Sequence, residues 1–285
     1  MTPEEAYNRL QEQLNTLYDT AEAANIAEWV MESLCGKRRR EWLQDSGLTL
    51  SVQEQEQLRH YTDELMRHRP VQYVLGESYF YDLKLYVDER VLIPRPETEE
   101  LADWVLKYAK ANHLGTPVVL DIGTGSGCLP LTFKKNLPAA AVYAADISEG
   151  ALAVARYNAA ELALNVHWLQ ADILSGKGFD AVPPADIIVS NPPYITLQEQ
   201  ETILPHVLDF EPHQALFVTN NDPLQFYKAI AHFAGHRLKT GGQLFLELHV
   251  DFASETEQLY QQQGWHTELR KDMQGRNRML RCSRQ

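Results

Sequence analysis

Apolar residues over the first 72 or so positions recur at helix spacing. Leu10, Leu14, Leu17 and Tyr18 form one such series, and Ile26, Trp29, Val30 and Leu34 another. A third stretch, SVQEQEQLRHYTDELMRHR, opens with Ser51 and carries Glu54 three positions later. That is the capping-box spacing, in which each side chain satisfies the other's backbone N–H. The pattern predicts a small helical bundle over residues 1–75, without a glycine-rich loop or a catalytic cluster. The period then changes. GESYFYDLKLYVDERVLI, residues 76–93, alternates aromatic and β-branched positions with polar ones and has turn residues at Asp82 and Asp88. It predicts one or two strands, arranged as a hairpin in a linker over 76–95 that Pro94 punctuates. From 96 to 285 the pattern is α/β. A helix fits 98–111, and then the apolar runs PVVLDIG, AVYAADI, VHWLQAD, ADIIVSNPP and GQLFLELH alternate with helix-length segments. Such alternation predicts a mainly parallel sheet covered on both faces. The tail GRNRMLRC predicts a closing strand after an exposed turn.

Composition narrows the class of partner more than the fold. The formal net charge of −13 repels phosphate backbones unless basic residues gather on one face, so direct nucleic-acid binding is not expected. Cys35, Cys128 and Cys282 are odd in number and widely spaced, which argues against a disulfide framework or a zinc site. The opening MTPEEAYNRL is acidic and lacks the form of a signal peptide, and no apolar run approaches the roughly 18–20 residues of a membrane span. A cytoplasmic protein without membrane contact is expected.

The chemistry concentrates at strand ends. PVVL runs into DIGTGSG, so Gly123, Thr124, Gly125, Ser126 and Gly127 form a loop at the carboxyl end of the first strand, where open α/β sheets bind ligands. The spacing G-x-G-x-G is neither the dinucleotide fingerprint nor a phosphate-cradling Walker loop, and it carries no lysine. It suits a ligand without a pyrophosphate; a tight strand–helix turn is the structural alternative. Asp146 ends the next strand, about 20 residues on, where an acid can accept bonds from both ribose hydroxyls or simply cap the following helix. Asp172 ends the third strand and can accept from an adenine amino group with Ile173 packed on the ring, or can again act as a cap. Asn191, Pro192, Pro193 and Tyr194 follow the fourth strand as N-P-P-Y. Alone this is a rigid turn; behind a cofactor loop it addresses a planar nitrogen. An amide nitrogen is a poor nucleophile, so a site must hold both of its protons with acceptors. The Asn191 side-chain oxygen can take one and the Pro192 carbonyl the other, on a turn stiffened by consecutive prolines, with Tyr194 packed on the amide plane. Positioning of this kind can supply roughly 7–11 kcal/mol of the barrier. The motif does not choose between a glutamine amide and the exocyclic amine of a nucleic-acid base.

Loop, ribose acid, adenine acid and N-P-P-Y at four consecutive strand ends resemble the class I, Rossmann-like S-adenosylmethionine methyltransferases over roughly 95–285. With IPRPETEEL (Ile93–Leu101), FEPHQALF (Phe210–Phe217) and the helical N-terminal region, the chain resembles the HemK/PrmC family of release factor glutamine N5-methyltransferases. The resemblance implies a protein-(glutamine-N5) methyltransferase that acts on the Gly-Gly-Gln motif of bacterial class I peptide chain release factors. By the same resemblance, Gly123–Gly127 and Asp146 bind S-adenosylmethionine, Asn191–Tyr194 hold the glutamine, and Ile173 stands where the family often has an aromatic residue. A sister family that methylates a ribosomal-protein glutamine shares N-P-P-Y and is the alternative. Glu97 and Thr98 fit either a helix start or a contact to the cofactor's amino-acid end. Lys37–Arg40 reads as a solvated helix end. His206, His213 and His249 lack a second ligand at metal spacing, so no metal is expected. Glu247 reads as a buried, paired carboxylate, and Cys128 as packing behind the glycine loop.

Overall fold

The chain folds as two units in the computed structural model, which describes residues 1–45 and 47–284. The first comprises Met1–Glu77 together with Leu204–Phe210; the second comprises Ser78–Ile203 and the chain from Glu211 onward.

The first unit holds α1 (Pro3–Leu14), α2 (Thr20–Cys35), α3 (Arg39–Gln44), α4 (Val52–Leu65) and α5 (Val71–Leu75). Side-chain caps set the helix starts. Thr2 and Glu5 form a reciprocal box at α1, Asp19 accepts from two backbone N–H groups at α2, and Ser51 and Glu54 form the predicted box at α4. The apolar faces of these helices meet in a core that includes Leu10, Leu14, Val30, Met31, Trp42 and Leu65. Because α1 stops at Leu14, Leu17 and Tyr18 lie beyond it and are only half-buried, not part of its face.

The second unit opens with the hairpin β1 (Ser78–Phe80) and β2 (Leu83–Leu85), paired antiparallel. Tyr81 and Asp82 both take positive φ in its two-residue turn, the geometry that matches strand twist. α6 (Pro96–Ala111) starts two residues before the predicted 98, since a proline is suited to the first helical position, where its missing N–H has no partner to lose. Then follow β3 (Val118–Ile122), α7 (Cys128–Asn136), β4 (Ala141–Asp146), α8 (Glu149–Glu161), β5 (His167–Gln170), β6 (Ala185–Ser190), β7 (Ile195–Thr196) and a 3-10 turn at Leu197–Thr202. After α9 (Pro205–Leu208), which lies in the first unit, come α10 (His213–Leu216), β8 (Phe217–Val218), α11 (Gln225–Arg237), β9 (Leu238–Glu247), α12 (Ala253–Gln262), β10 (His266–Lys271) and β11 (Asn277–Ser283).

Seven strands form one sheet in the order β10-β11-β9-β6-β3-β4-β5. β9, β6, β3, β4 and β5 pair in parallel, and β11 is antiparallel to both of its neighbours. Alternate residues of the central strands serve opposite faces, as a two-residue period requires. Val119, Ile187 and Phe245 pack with α6 and α7 on one face; Leu120, Ile188 and Leu244 pack with α11 and α12 on the other. The mainly parallel, doubly covered sheet expected from the sequence is therefore the one that forms. β10 was not anticipated: its alternating, largely exposed edge pattern gives no apolar run to detect. From β3 the chain moves outward first to β4 and β5, then returns to β6 on the other side. That reversal opens a crevice outside the carboxyl ends of the strands.

Candidate active site

A cavity occupies this crevice. Its walls carry Gly123 and Gly125 after β3, Asp146 at the end of β4, Asp172 after β5, and Asn191 with Pro192 after β6. Ile147, Ile173 and Leu174 add apolar surface on the β4–β5 side, and Pro193 completes the turn after β6.

The glycine loop turns back on itself at positive φ through Gly123, Gly125 and Gly127. The N–H groups of Gly123 and Thr124 both donate to the Ala145 carbonyl, and that of Gly125 donates to Asp146 Oδ2 at 2.8 Å. Gly123 and Gly125 face the cavity with no side chain in the way. Thr124, Ser126 and Gly127 do not line it; the two hydroxyl residues are buried behind the loop. At Gly127 an added Cβ would sit 3.1 Å from Ala155 and 3.2 Å from Trp168. The loop is thus held against α8, and Asn158 of that helix, itself buried, donates to the Ser126 and Tyr86 carbonyls and accepts from Tyr86 N–H.

Asp146 accepts from Ser148 N–H through Oδ1 as well, so each carboxylate oxygen holds one backbone donor and keeps a lone pair for a ligand. Burial raises its pKa, and the backbone donors from Ser148 and Gly125 oppose the rise. Asp172 uses Oδ1 to accept from Leu174 N–H, which shapes the turn that presents Ile173. That turn returns through Gly178, where a Cβ would fall 2.4 Å from the Gln170 carbonyl oxygen. Bare glycine backbone, an acid with spare acceptors and largely apolar walls, with no lysine on the cavity wall and with Arg90 there paired to Asp88, fit a nucleoside joined to a linkage without phosphates better than a polyphosphate.

On the β6 side, Asn191 Nδ2 donates to Thr98 Oγ1 at 3.1 Å. Thr98 donates to Glu247 Oε2 at 2.6 Å, and Tyr194 donates to Glu247 Oε1 at 3.2 Å. Glu247 is buried and paired; burial raises its pKa, while the Thr98 hydrogen bond and the Arg278 charge oppose the rise. Burial and then the Glu247 charge push the Tyr194 phenol well up. Tyr194 is off the cavity wall, its ring edge-on to His249 at 5.6 Å.

Several residues here carried no local signal. Asp121 sits fully buried at the base of the loop, without a well-formed hydrogen bond to either carboxylate oxygen, and desolvation lifts its pKa to about 7 despite the nearby Thr124 hydroxyl. Glu211 is buried, pairs with Arg95 and accepts from Ile93 N–H, which joins the two loops before α6 and α10. His249 finds a partner that spacing could not reveal: its Nε2 lies 2.8 Å from Glu199 Oε1, and its Nδ1 accepts from Asp251 N–H. Glu199, His249 and Asp251 are close enough to converge on an ion, but both ring nitrogens are already engaged. No helix among the described residues is long and apolar enough to cross a membrane.

Residues 105–216 match the family model described as Methyltransferase small domain, and residues 5–76 match the PrmC N-terminal domain. A methyltransferase from Pyrococcus furiosus superposes with a TM-score of 0.51 at 19% identity over 71% of this chain and 89% of its own, which shows the shared Rossmann-like methyltransferase fold. The release factor glutamine methyltransferase of Flavobacterium psychrophilum is 43% identical over 222 residues, 77% of each chain. That of Bacteroides thetaiotaomicron is 35% identical over 276 residues, 96% of this chain and 98% of its own. Chlorobaculum tepidum has a third, 38% identical over 91% of this chain and 90% of its own. With identity of this order over nearly whole chains, the protein belongs to the release factor glutamine methyltransferase family.

Proposed function

We propose that this chain methylates the side-chain amide nitrogen of the glutamine in the Gly-Gly-Gln motif of bacterial class I release factors. When bound, S-adenosylmethionine supplies an electrophilic methyl group on a cationic sulfur. Asp146 holds the ribose hydroxyls with its remaining lone pairs. Gly123 and Gly125 let the nucleoside lie against backbone, and Thr124, Ser126 and Gly127 keep that backbone in shape from behind. Asp172 and Ile173 receive the adenine ring. Asn191 Oδ1 and the Pro192 carbonyl accept the two protons of the glutamine amide, so its nitrogen is held with the lone pair toward the methyl donor. As positive charge develops on that nitrogen, both acceptors strengthen, which lowers the barrier without a strong base. Pro193 stiffens the turn. Tyr194 works from the side, because its hydroxyl is committed to Glu247. The helical first unit recognises the protein substrate.

The observation that carries the reading is the shared wall. Bare glycine backbone, Asp146 and the Asn191–Pro192 turn face one cavity at a topological switch point, in a chain of this family. The test is transfer of label from S-adenosylmethionine to a purified release factor and to its Gly-Gly-Gln variant with Gln→Ala. Label on the first alone is expected. Label on both, or on neither from protein that binds the cofactor, overturns the assignment.

A further inference from the structure

Asn191 can serve as an acceptor only if its amide is turned the right way round, and the two ends of a carboxamide are nearly the same size. What fixes the choice lies behind it. Thr98, in the first turn of α6, has a single hydroxyl proton. Its oxygen is 2.6 Å from Glu247 Oε2 at the end of β9. Thr98 is the donor in that bond, and its one proton is spent there. The Thr98 oxygen is then left as an acceptor, and the neighbour 3.1 Å away on Asn191 has to be the NH2 end. The other end, Oδ1, is thereby left for the cavity that Asn191 lines. Tyr194 holds the second oxygen of Glu247, so the carboxylate is fixed from both sides. Thr98 and Glu247 are buried, at 3% and 1% exposure, and neither lines the cavity.

We propose that Thr98 and Glu247 are positioning residues that set the polarity of the Asn191 amide, turning its oxygen toward the substrate. They touch neither substrate nor cofactor. A reversed amide would place two acceptors face to face at Thr98 and offer N–H to a substrate nitrogen that itself carries two protons. The proposal rests on Asn191 being an acceptor for the glutamine amide. Of the two readings left open for Thr98, a helix start and a contact to the cofactor's amino-acid end, it keeps the first, since Thr98 sits in the first turn of α6, and sets the second aside.

The test uses the full-length enzyme and a release factor, with single-turnover transfer and cofactor affinity measured separately. Thr98→Val keeps the shape and removes both donor and acceptor; Thr98→Ser keeps both. At saturating cofactor, T98V is expected to slow transfer by about 10- to 100-fold, with a cofactor Kd within twofold of wild type, and T98S is expected to come back within about threefold. In an Asn191→Ala background, T98V is expected to cost nothing further, because the amide it orients is gone. Thr98→Ala takes the place of T98V if the valine methyl beside the carboxylate prevents folding. Unchanged transfer in T98V, a loss confined to cofactor affinity, or the same fold-loss in the N191A background would each overturn the proposal. Failure of the wild-type enzyme to label any release factor would instead remove the functional reading beneath it.

Discussion

Asp121 offers a quantitative test of how the sheet end is built. It is fully buried, and its pKa is lifted to about 7 from an ordinary 3.8, chiefly by desolvation. An acid whose folded pKa is raised favours folding in its protonated form. That advantage is complete below the unfolded pKa and is lost as pH rises through the folded one. The whole span is worth roughly 4 kcal/mol at about 1.4 kcal/mol per pKa unit. Some of it has gone by pH 5, because the unfolded chain is already ionised there, so about 3 kcal/mol remains to be lost between pH 5 and pH 8. Asp121→Asn has the same shape and does not titrate. Urea unfolding of the cofactor-free protein, followed by tryptophan fluorescence, should show the variant gaining about 3 kcal/mol on wild type between the two pH values. The fixed cost of a buried, poorly bonded asparagine cancels in that comparison. A stability difference that is the same at pH 5 and pH 8 would show that Asp121 does not titrate in this window, and the desolvation argument would fail.

Asp146→Ala should remove two charge-assisted hydrogen bonds to the ribose, each about 1.5–3 kcal/mol, and raise the cofactor Kd in calorimetric titration by on the order of 10²- to 10⁴-fold; a change below threefold would refute the ribose role. Gly178→Ala should lower the stability of the second unit by about 2–4 kcal/mol, because φ is +91° and the new Cβ would meet the Gln170 carbonyl oxygen at 2.4 Å; an unchanged thermal midpoint would contradict that contact. Native protein treated with iodoacetamide at pH 8 should be labelled at half-buried Cys35 well before Cys128, whose thiol is buried and pushed up to about 12, and before buried Cys282. Peptide mapping that finds Cys128 modified first would be inconsistent with its packing.

The sheet was legible because parallel strands covered on both faces are near-continuous apolar runs, and the α4 start because a capping box is a local signal between Ser51 and Glu54. Strand ends could be read for the same reason: an apolar run that stops at Asp146 or Asn191 marks its own carboxyl end. What local pattern does not carry is direction and partnership. Within DIGTGSG the sequence places five residues in one loop, but only the fold turns Gly123 and Gly125 outward and Thr124 and Ser126 inward. Thr98 and Glu247 are 149 positions apart; the adjacency of β6 and β9 brings Glu247 beside Asn191, and the packing of α6 on β9 brings Thr98. Asp121 looked like an ordinary member of a glycine motif, since its burial depends on the layers that cover it. β10 was missed because an exposed edge strand has little apolar pattern to show.

Leu204–Phe210 clusters with the first 77 residues although it is threaded between β7 and α10 of the second unit. The helical unit is therefore encoded in two pieces, and the chain passes between the units three times. A graft that moves only residues 1–77 between relatives would leave seven residues of the old partner facing a new one. A chimera that respects the fold exchanges both pieces, and covariation between species should tie positions 204–210 to the amino-terminal helices more tightly than to the strands that precede them.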